Sequence, residues 1–266
     1  MQPELEVQEM QAKARTRWKN AGVELADGPM TPKELAEYLR IASAYAQTTP
    51  GRFSPSSFSD DDPALTIFPR AESWKWHSAE ETLSKHMGRG LMLRLPLFWQ
   101  VEIPLFLACK EKGLFIFVND QSNMALGATA ISRASIGVVV TDAKDANEFA
   151  TFLMIKGHSF PDTWLIVQKA GEMIPLAPAL TGSASTLVQE VHVLPGVPIL
   201  EQCVHIAGKE HVFHVSDDYV WGHGPRAHIT SRADDPLPLI QYETDLATEE
   251  AGICSCGKKI IHAQNA

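Results

Sequence analysis

The stretch GVVVTDAKDANEFATFLMI, from Gly137 to Ile155, decides the fold class of this chain. Its first five residues, through Thr141, form a short apolar run of the kind that becomes a buried strand. Asp142 follows the run, and the residues from Asp145 onward have the length and apolar spacing of a helix. The stretch therefore predicts a strand that leads directly into a helix.

The same alternation of strands and helices extends to both sides of this stretch. Further strands are predicted at 64–68, 91–95, 114–118 and 163–167, and further helices at 78–87, 98–112 and 122–134. This rhythm is typical of an α/β fold, a mostly parallel sheet with helices on both faces. Ligands of such folds bind beyond the carboxyl ends of the strands, so we expect a binding region at the turns Asn119-Asp120 and Thr141-Asp142.

Composition along the chain predicts its organisation. We expect an N-terminal helical segment at 1–50, a linker at 51–63, an α/β domain at 64–190 and a β-rich, metal-binding segment at 191–266. The first segment contains two predicted helices, at 3–18 and 31–46, the second opened by a threonine N-cap and a proline. The linker is rich in serine, proline, glycine and aspartate.

The overall composition excludes several classes of protein. The chain has 266 residues, of which 45% are hydrophobic and 21% charged, as is ordinary for a globular protein. Its formal net charge of -9 and pI near 5.6 leave no general positive field for nucleic acid. No apolar run is long enough to cross a bilayer, and the N-terminus lacks the apolar core of a secretory signal. Four cysteines do not make a disulfide framework, so a reducing, cytoplasmic location is expected.

A run of small residues lies between the α/β pattern and the β-rich segment. It contains Thr181, Gly182, Ser183, Ser185 and Thr186. Small residues after an apolar run let backbone N–H groups and hydroxyls approach phosphate oxygens, so these five are candidate phosphate-binding residues. A flexible surface loop without a ligand accounts for them equally well.

Several motifs follow one another in the last third of the chain. They are LPGVPILE at 194–201, FHVSDDYV at 213–220, AHITS at 227–231, PLIQYETD at 238–245 and CSCGK at 254–258. This ordered row resembles the corresponding part of phenylacetate-CoA ligases, which belong to the adenylate-forming (acyl-CoA synthetase) superfamily. The strand and helix pattern that begins at Gly90 resembles the front part of the same superfamily.

The resemblance implies an activity and a nucleotide site. Enzymes of this family activate a carboxylic acid with ATP as an acyl-adenylate and pass it to CoA or another thiol. The final aspartate of their R-Y-R-T-G-D motif accepts hydrogen bonds from both ribose hydroxyls; Asp245 is its counterpart, with Tyr242 in the same motif. The run at 181–186 partly matches the family's phosphate loop, T-S-G-T-T-G-x-P-K, without its Pro-Lys. Gln241 and Glu243 replace both arginines of the ribose motif.

The pair Cys254 and Cys256 is typical of a metal-binding turn, because the following glycine permits a tight reversal and the lysine offsets thiolate charge. A tetrahedral zinc site needs two more ligands, and the resemblance implies Cys203 and His214 for them. The alternative histidine ligands are His205 and His211. Four protein ligands leave no open coordination position, so a structural zinc is expected. In the other interpretation the cysteines are free thiols, with Cys203 packed as a small apolar side chain.

Two functions are expected from the sequence. In the first, the protein is an adenylate-forming ligase that uses a small carboxylic acid, ATP or AMP and CoA, with zinc in its structure. In the second, it is a catalytically degenerate module of the same fold that binds a nucleotide or acyl group or serves as an interaction scaffold. No counterpart of the family's lysine-bearing C-terminal domain is found, so a partner chain that supplies it is also expected. Neither nucleic acid nor a membrane is an expected partner.

Overall fold

The structure is a computed structural model of the chain. It describes residues 8–9, 11–13, 15–16, 19, 28, 30–31, 85–86, 89–95, 114–193, 198–216, 219–231 and 239–266. The chain divides into two compact units. The first comprises Met1–Trp74, Asp217–Thr248 and Ala266, and the second comprises Lys75–Ser216 and Glu249–Asn265. The segment boundaries expected from composition stay predictions.

The second unit contains a parallel sheet with its helices. The strands are β1 (Gly90–Arg94), β2 (Phe115–Val118), β3 (Ile136–Asp142), β4 (Thr163–Lys169) and β5 (Thr186–His192). The helices are α1 (Met124–Arg133), α2 (Ala143–Lys156) and the short α3 (Pro178–Thr181). The five strands lie in the order β2-β1-β3-β4-β5, and all four neighbouring pairs are parallel. The predicted α/β fold class is confirmed in this part of the chain.

The β-rich segment extends this sheet and adds a second one. Its strands are β6 (Pro198–Glu201), β7 (Val212–Val215), β8 (Tyr219–Gly222), β9 (His228–Ser231), β10 (Tyr242–Glu243), β11 (Leu246–Ile253) and β12 (Lys259–Asn265). Among the described residues, the large sheet has nine strands in the order β11-β12-β7-β6-β5-β4-β3-β1-β2, and β6, β7 and β12 join it as antiparallel neighbours. In the first unit, β10, β9 and β8 form a three-stranded antiparallel sheet.

The core of the second unit lies between the parallel strands and the helices. One face of the sheet packs Val139, Trp164 and Ile166 against Phe149 and Leu153 of α2, all without exposed surface. The rings of Phe149 and Trp164 meet edge to face, with centroids 5.9 Å apart. Runs such as Val138–Val140 are buried on both faces, which explains why they read as continuous apolar stretches in the sequence.

The first turn of α2 shows how the chain passes from strand to helix. The side chain of Asp142 accepts a hydrogen bond from the backbone N–H of Asp145 at 2.8 Å, which caps the helix. The helix ends at Gly157, whose φ of 67° lies in the left-handed region that glycine adopts at low cost. The predicted strand-then-helix order of the opening stretch is therefore confirmed.

Several predicted elements cannot be compared with the structure. The predicted linker at 51–63, the helices at 31–46 and 98–112 and the strand at 64–68 lie almost wholly or wholly outside the described residues. Within 8–19 the residues that the structure describes are helical, as the predicted first helix requires. None of the helices in the described part of the chain has both the length and the apolar character needed to cross a membrane.

Candidate metal centre

Three separate stretches of the second unit bring four metal-type ligands together. Cys203 follows β6, His214 lies within β7, and Cys254 and Cys256 lie in the turn between β11 and β12. Their four donor atoms all lie within 4.8 Å of one another. The structure thus assembles the set expected for zinc, and neither alternative histidine, His205 or His211, belongs to this cluster.

Four of the six distances within the cluster are close to those of a tetrahedral zinc site. The Sγ atom of Cys203 lies 3.7 Å from that of Cys254 and 3.8 Å from that of Cys256. The Nε2 atom of His214 lies 3.3 Å from the Cys203 sulfur and 3.5 Å from the Cys256 sulfur. Zinc bonds of about 2.3 Å to sulfur and about 2.0 Å to nitrogen give tetrahedral edges of about 3.8 Å and about 3.5 Å. The donors therefore fit a zinc ion at their centre.

The orientation of the histidine ring also fits a ligand. The Nδ1 atom of His214 lies 2.9 Å from the carbonyl oxygen of Lys259, which can only accept a hydrogen bond. Nδ1 therefore carries the proton, and the lone pair of Nε2 faces the three sulfurs. A backbone carbonyl that fixes the ring in this way is a usual outer partner of zinc-bound histidine.

The turn that carries the two neighbouring cysteines is closed by backbone hydrogen bonds. The N–H of Cys254 donates to the carbonyl of Lys258 at 2.9 Å, and the N–H of Gly257 donates to the carbonyl of Cys254 at 2.9 Å. Gly257 has a φ of 89°, which a residue with a side chain adopts only with strain. This explains the glycine directly after the cysteine pair.

The pKa values of the Cys203 and Cys254 thiols are shifted in opposite directions. Burial raises the pKa of the Cys203 thiol to about 11, and hydrogen bonds with the thiols of Cys254 and Cys256 add to that effect. For Cys254, burial also acts to raise the pKa, but hydrogen bonds from the Cys256 backbone and neighbouring side chains outweigh it and lower the pKa. A bound divalent cation supplies the missing charge and deprotonates coordinating thiols.

The candidate phosphate-binding residues lie around the loop before β5. The hydroxyl of Ser183 donates to the carbonyl of Leu180 at 2.8 Å, and that of Ser185 donates to the carbonyl of Pro161. Thr181 ends α3, Gly182 follows it with a right-handed helical backbone, and Thr186 begins β5. The loop enters the amino end of a parallel strand, and its hydroxyl protons already have local acceptors. Their assignment to phosphate stays a prediction.

The candidate ribose residues belong to the first unit. Tyr242 lies in β10 with a buried side chain, and burial together with the nearby Asp245 raises the pKa of its hydroxyl. Asp245 is exposed in the turn between β10 and β11. Glu243, which stands where the family has an arginine, accepts a hydrogen bond from Arg226 at 2.9 Å. The role of Tyr242 and Asp245 in nucleotide binding stays a prediction.

A charged network that the sequence analysis missed lies at the carboxyl ends of β1 and β3. Arg94 has no exposed surface and donates from Nε and Nη2 to the two carboxylate oxygens of Asp145, both at 2.8 Å. Thr141 donates to the same carboxylate at 2.6 Å, and the guanidinium carbon of Arg94 lies 4.0 Å from the centre of the Phe149 ring. A charged residue within the apolar run 91–95 was the available signal.

This network occupies the place where we expected a ligand. β2 and β3 lie on either side of β1 in the sheet. The turns that follow them, Asn119-Asp120 and Thr141-Asp142, therefore converge near Arg94 at the end of β1. The amide of Gln121 donates to the carbonyl of Arg94 at 2.6 Å and to the Asp142 carboxylate at 2.7 Å. Protein groups therefore join these strand ends to each other.

Comparisons with known proteins support the fold. No protein-family model and no curated protein matches the sequence. Among solved structures, the chain is similar to 2-hydroxyisobutyryl-CoA ligase, in an open conformation in complex with 2-HIB-AMP and CoA, with a TM-score of 0.54 and 10% sequence identity. The match covers 96% of this chain and 69% of that ligase. The chain therefore shares the fold of part of that CoA ligase.

Two further solved structures also match this chain. E. coli MenE, bound to an analogue of OSB-AMS, has a TM-score of 0.45 and 10% identity over 71% of this chain. A mutant form of coronafacic acid ligase from Pectobacterium brasiliense has a TM-score of 0.44 and 7% identity over 75% of this chain. The chain spans 43% of the length of each of them.

Proposed function

We propose that this protein is an adenylate-forming ligase of the phenylacetate-CoA ligase type, which activates a small carboxylic acid with ATP as an acyl-adenylate. The observation that carries the proposal is the shared fold with a CoA ligase that was solved in complex with 2-HIB-AMP and CoA. The ordered motifs from LPGVPILE to CSCGK support the subtype. Transfer of the acyl group to CoA and a cytoplasmic location belong to the same proposal.

In this proposal the ribose of the nucleotide binds at Asp245. The carboxylate is exposed, and it follows the buried Tyr242, which anchors β10 in the core of the first unit. A carboxylate can accept hydrogen bonds from two neighbouring hydroxyls at once. Phosphate contact by the loop at 181–186 is a separate part of the proposal. It requires the loop to rearrange, because the N–H groups of Gly182, Ser183 and Thr186 and the serine hydroxyls already donate to backbone carbonyls.

Pyrophosphate exchange over a panel of carboxylic acids, with calorimetry of ATP and AMP binding, tests the proposal. We expect acid-dependent exchange in the wild type. Asp245→Asn should weaken AMP binding by about 2 kcal/mol, or roughly thirtyfold, because one neutral amide oxygen replaces a charged acceptor with two oxygens. Glu249→Gln is the matched control, since Glu249 is also an exposed acid. Failure to bind ATP or AMP at millimolar concentration would contradict the proposal.

A second candidate function is a module of this fold that binds a nucleotide or acyl group without turning it over. One observation favours it: Glu243 takes the place of a family arginine and pairs with Arg226, so neither charge is left for a triphosphate. AMP binding without any pyrophosphate exchange would support this candidate. A partner chain that carries the family's catalytic lysine would restore exchange when it is added.

We also propose that Cys203, His214, Cys254 and Cys256 hold a structural zinc ion. The fit of the four donors to tetrahedral edges supports this assignment. Four protein ligands leave the ion no open position, so it would stabilise the fold and take no part in the reaction. Metal analysis of protein purified without chelator should give one zinc per chain, and markedly less than one would contradict the assignment.

A further inference from the structure

The four candidate ligands come from two halves that only the fold brings together. Cys203 and His214 come from β6–β7, whereas Cys254 and Cys256 come from the β11–β12 turn, forty or more residues away in the sequence. β7 and β12 are neighbours in the sheet, with His214 opposite Ile260. The pairing places the turn near the histidine, but the turn itself projects beyond the last paired residues.

One ion pair joins the projecting turn to the other half. The Nζ atom of Lys258 donates to a carboxylate oxygen of Glu201 at 2.8 Å. Glu201 lies in β6, two residues before Cys203, and it is directly opposite His214 in the sheet. The Glu201 side chain is 9% exposed and that of Lys258 is 34% exposed, so water screens this pair less than an ordinary surface pair.

Lys258 and Lys259, which follow the cysteine pair, thus contact Cys254, His214 and the strand that leads to Cys203. The carbonyl of Lys258 holds the N–H of Cys254, and its ammonium group holds the strand that leads to Cys203. The carbonyl of Lys259 holds the ring of His214.

We propose that the Glu201–Lys258 ion pair is a latch that positions the two halves of the metal centre and so determines how tightly the centre retains zinc. The proposal rests on the zinc assignment made above. Neither residue is a metal ligand; both act through the ligands that they position. Loss of a group that hydrogen-bonds directly to a zinc ligand lowers metal affinity by about 10- to 100-fold. This pair acts one contact further out, so we expect the lower end of that range.

Electrostatics alone predicts opposite effects for the two single variants. Lys258→Met and Glu201→Gln remove charges of opposite sign near the centre, so one would strengthen and the other weaken zinc binding if the two side chains acted only through their charges. If the pair is a latch, both variants weaken binding, because in either one the turn is no longer held to β6. The two variants together therefore separate the two explanations.

The neighbouring lysine provides a matched control. Lys259 pairs with Glu250 at 3.5 Å, and these side chains are 78% and 63% exposed. The pair lies in the same β11–β12 hairpin but does not reach β6. Lys259→Met removes the same charge at the next position and leaves the backbone carbonyl that holds His214.

The experiment is a competition for zinc between the full-length protein and a chromogenic chelator. We expect Lys258→Met and Glu201→Gln each to raise the zinc dissociation constant about tenfold or more, with little further loss in the double variant. Lys258→Arg should retain most of the affinity, since arginine also pairs with a carboxylate. Lys259→Met should change it by about twofold or less.

Cobalt substitution gives a second readout that does not depend on affinity. The charge-transfer and ligand-field bands of the cobalt form should change in Glu201→Gln and stay as in the wild type in Lys259→Met. Unchanged or tighter zinc binding in Glu201→Gln would overturn the latch and leave the zinc assignment intact. A wild-type protein that binds no zinc would overturn both.

Discussion

The large sheet carries two polar centres that are stabilised in opposite ways. At the ends of β1 and β3, the charge of Arg94 is matched by Asp145, Thr141 and the Phe149 ring. At β7 and β12, three thiols and His214 point at one another, and their ionised forms are compatible only with a cation between them. The Arg94 charge is balanced within the protein, although its buried Nη1 atom has no hydrogen-bond partner among the described residues. The second centre is the one proposed to hold an ion. The comparison teaches that polar groups of one sheet can join its strands in two ways, through a buried ion pair or through a shared metal ion.

The largest expected effect on stability comes from the centre at Arg94, which we call the protein-only centre because it contains no ion. Asp145→Asn leaves the Arg94 charge buried without its counter-ion, and breaking such a pair costs about 3–5 kcal/mol. We expect a fall of that size in the free energy of unfolding, measured by urea denaturation. Glu148→Gln, at an exposed position of the same helix, is the control.

A double variant shows whether the cost comes from the unpaired charge. Arg94→Met with Asp145→Leu removes both charges and should recover much of the loss, because an apolar pair can replace a buried ion pair. A single variant as stable as the wild type would show that Arg94 is not clamped by Asp145.

The next largest effect should come from removing the metal. A ligand at 100 times its dissociation constant stabilises the folded state by about 2.7 kcal/mol, so a chelator should lower the free energy of unfolding by about that amount. Hydrogen exchange should locate the loss around β7 and β12, where His214 and Ile260 pair. The amides of Val139 and Ile166 in the parallel half should keep their protection.

Cys256→Ser is the control for metal removal. The variant should already have the lower stability, and the chelator should change it little. Equal loss of protection in both halves of the sheet after chelation would contradict the division into two independent centres.

The sequence predicted the two centres to different extents. The strands around β3 and β4 were predictable because parallel strands buried on both faces are continuous apolar runs. The start of α2 was predictable because Asp142 is a strong helix cap. The cysteine pair of the metal centre was predictable from its spacing, and the resemblance to a family added Cys203 and His214. Their proximity in the structure agrees with that set, while the bound ion stays a proposal.

What the sequence did not predict depends on strand order. Arg94 and Asp145 are about fifty residues apart, and nothing local shows that β1 lies beside β3. The pairing of Glu201 with Lys258 likewise requires β6, β7 and β12 to be neighbours. Long-range pairing is set by the burial of whole strands and by the connections between them, which local patterns do not contain.

The smallest expected effect tests how far the protein-only centre extends. Asp142 caps α2 and also accepts a hydrogen bond from Gln121, at the edge of the Arg94 network. Asp142→Ala removes both bonds, and loss of a helix cap costs about 1 kcal/mol. Asp142→Asn is the control, since asparagine caps helices as well as aspartate does. If Asp142→Ala lowers the free energy of unfolding equally in the wild type and in the Asp145→Asn variant, the cap is independent of the network. A smaller cost there would show that the network includes the cap, because coupled residues lose their shared energy only once.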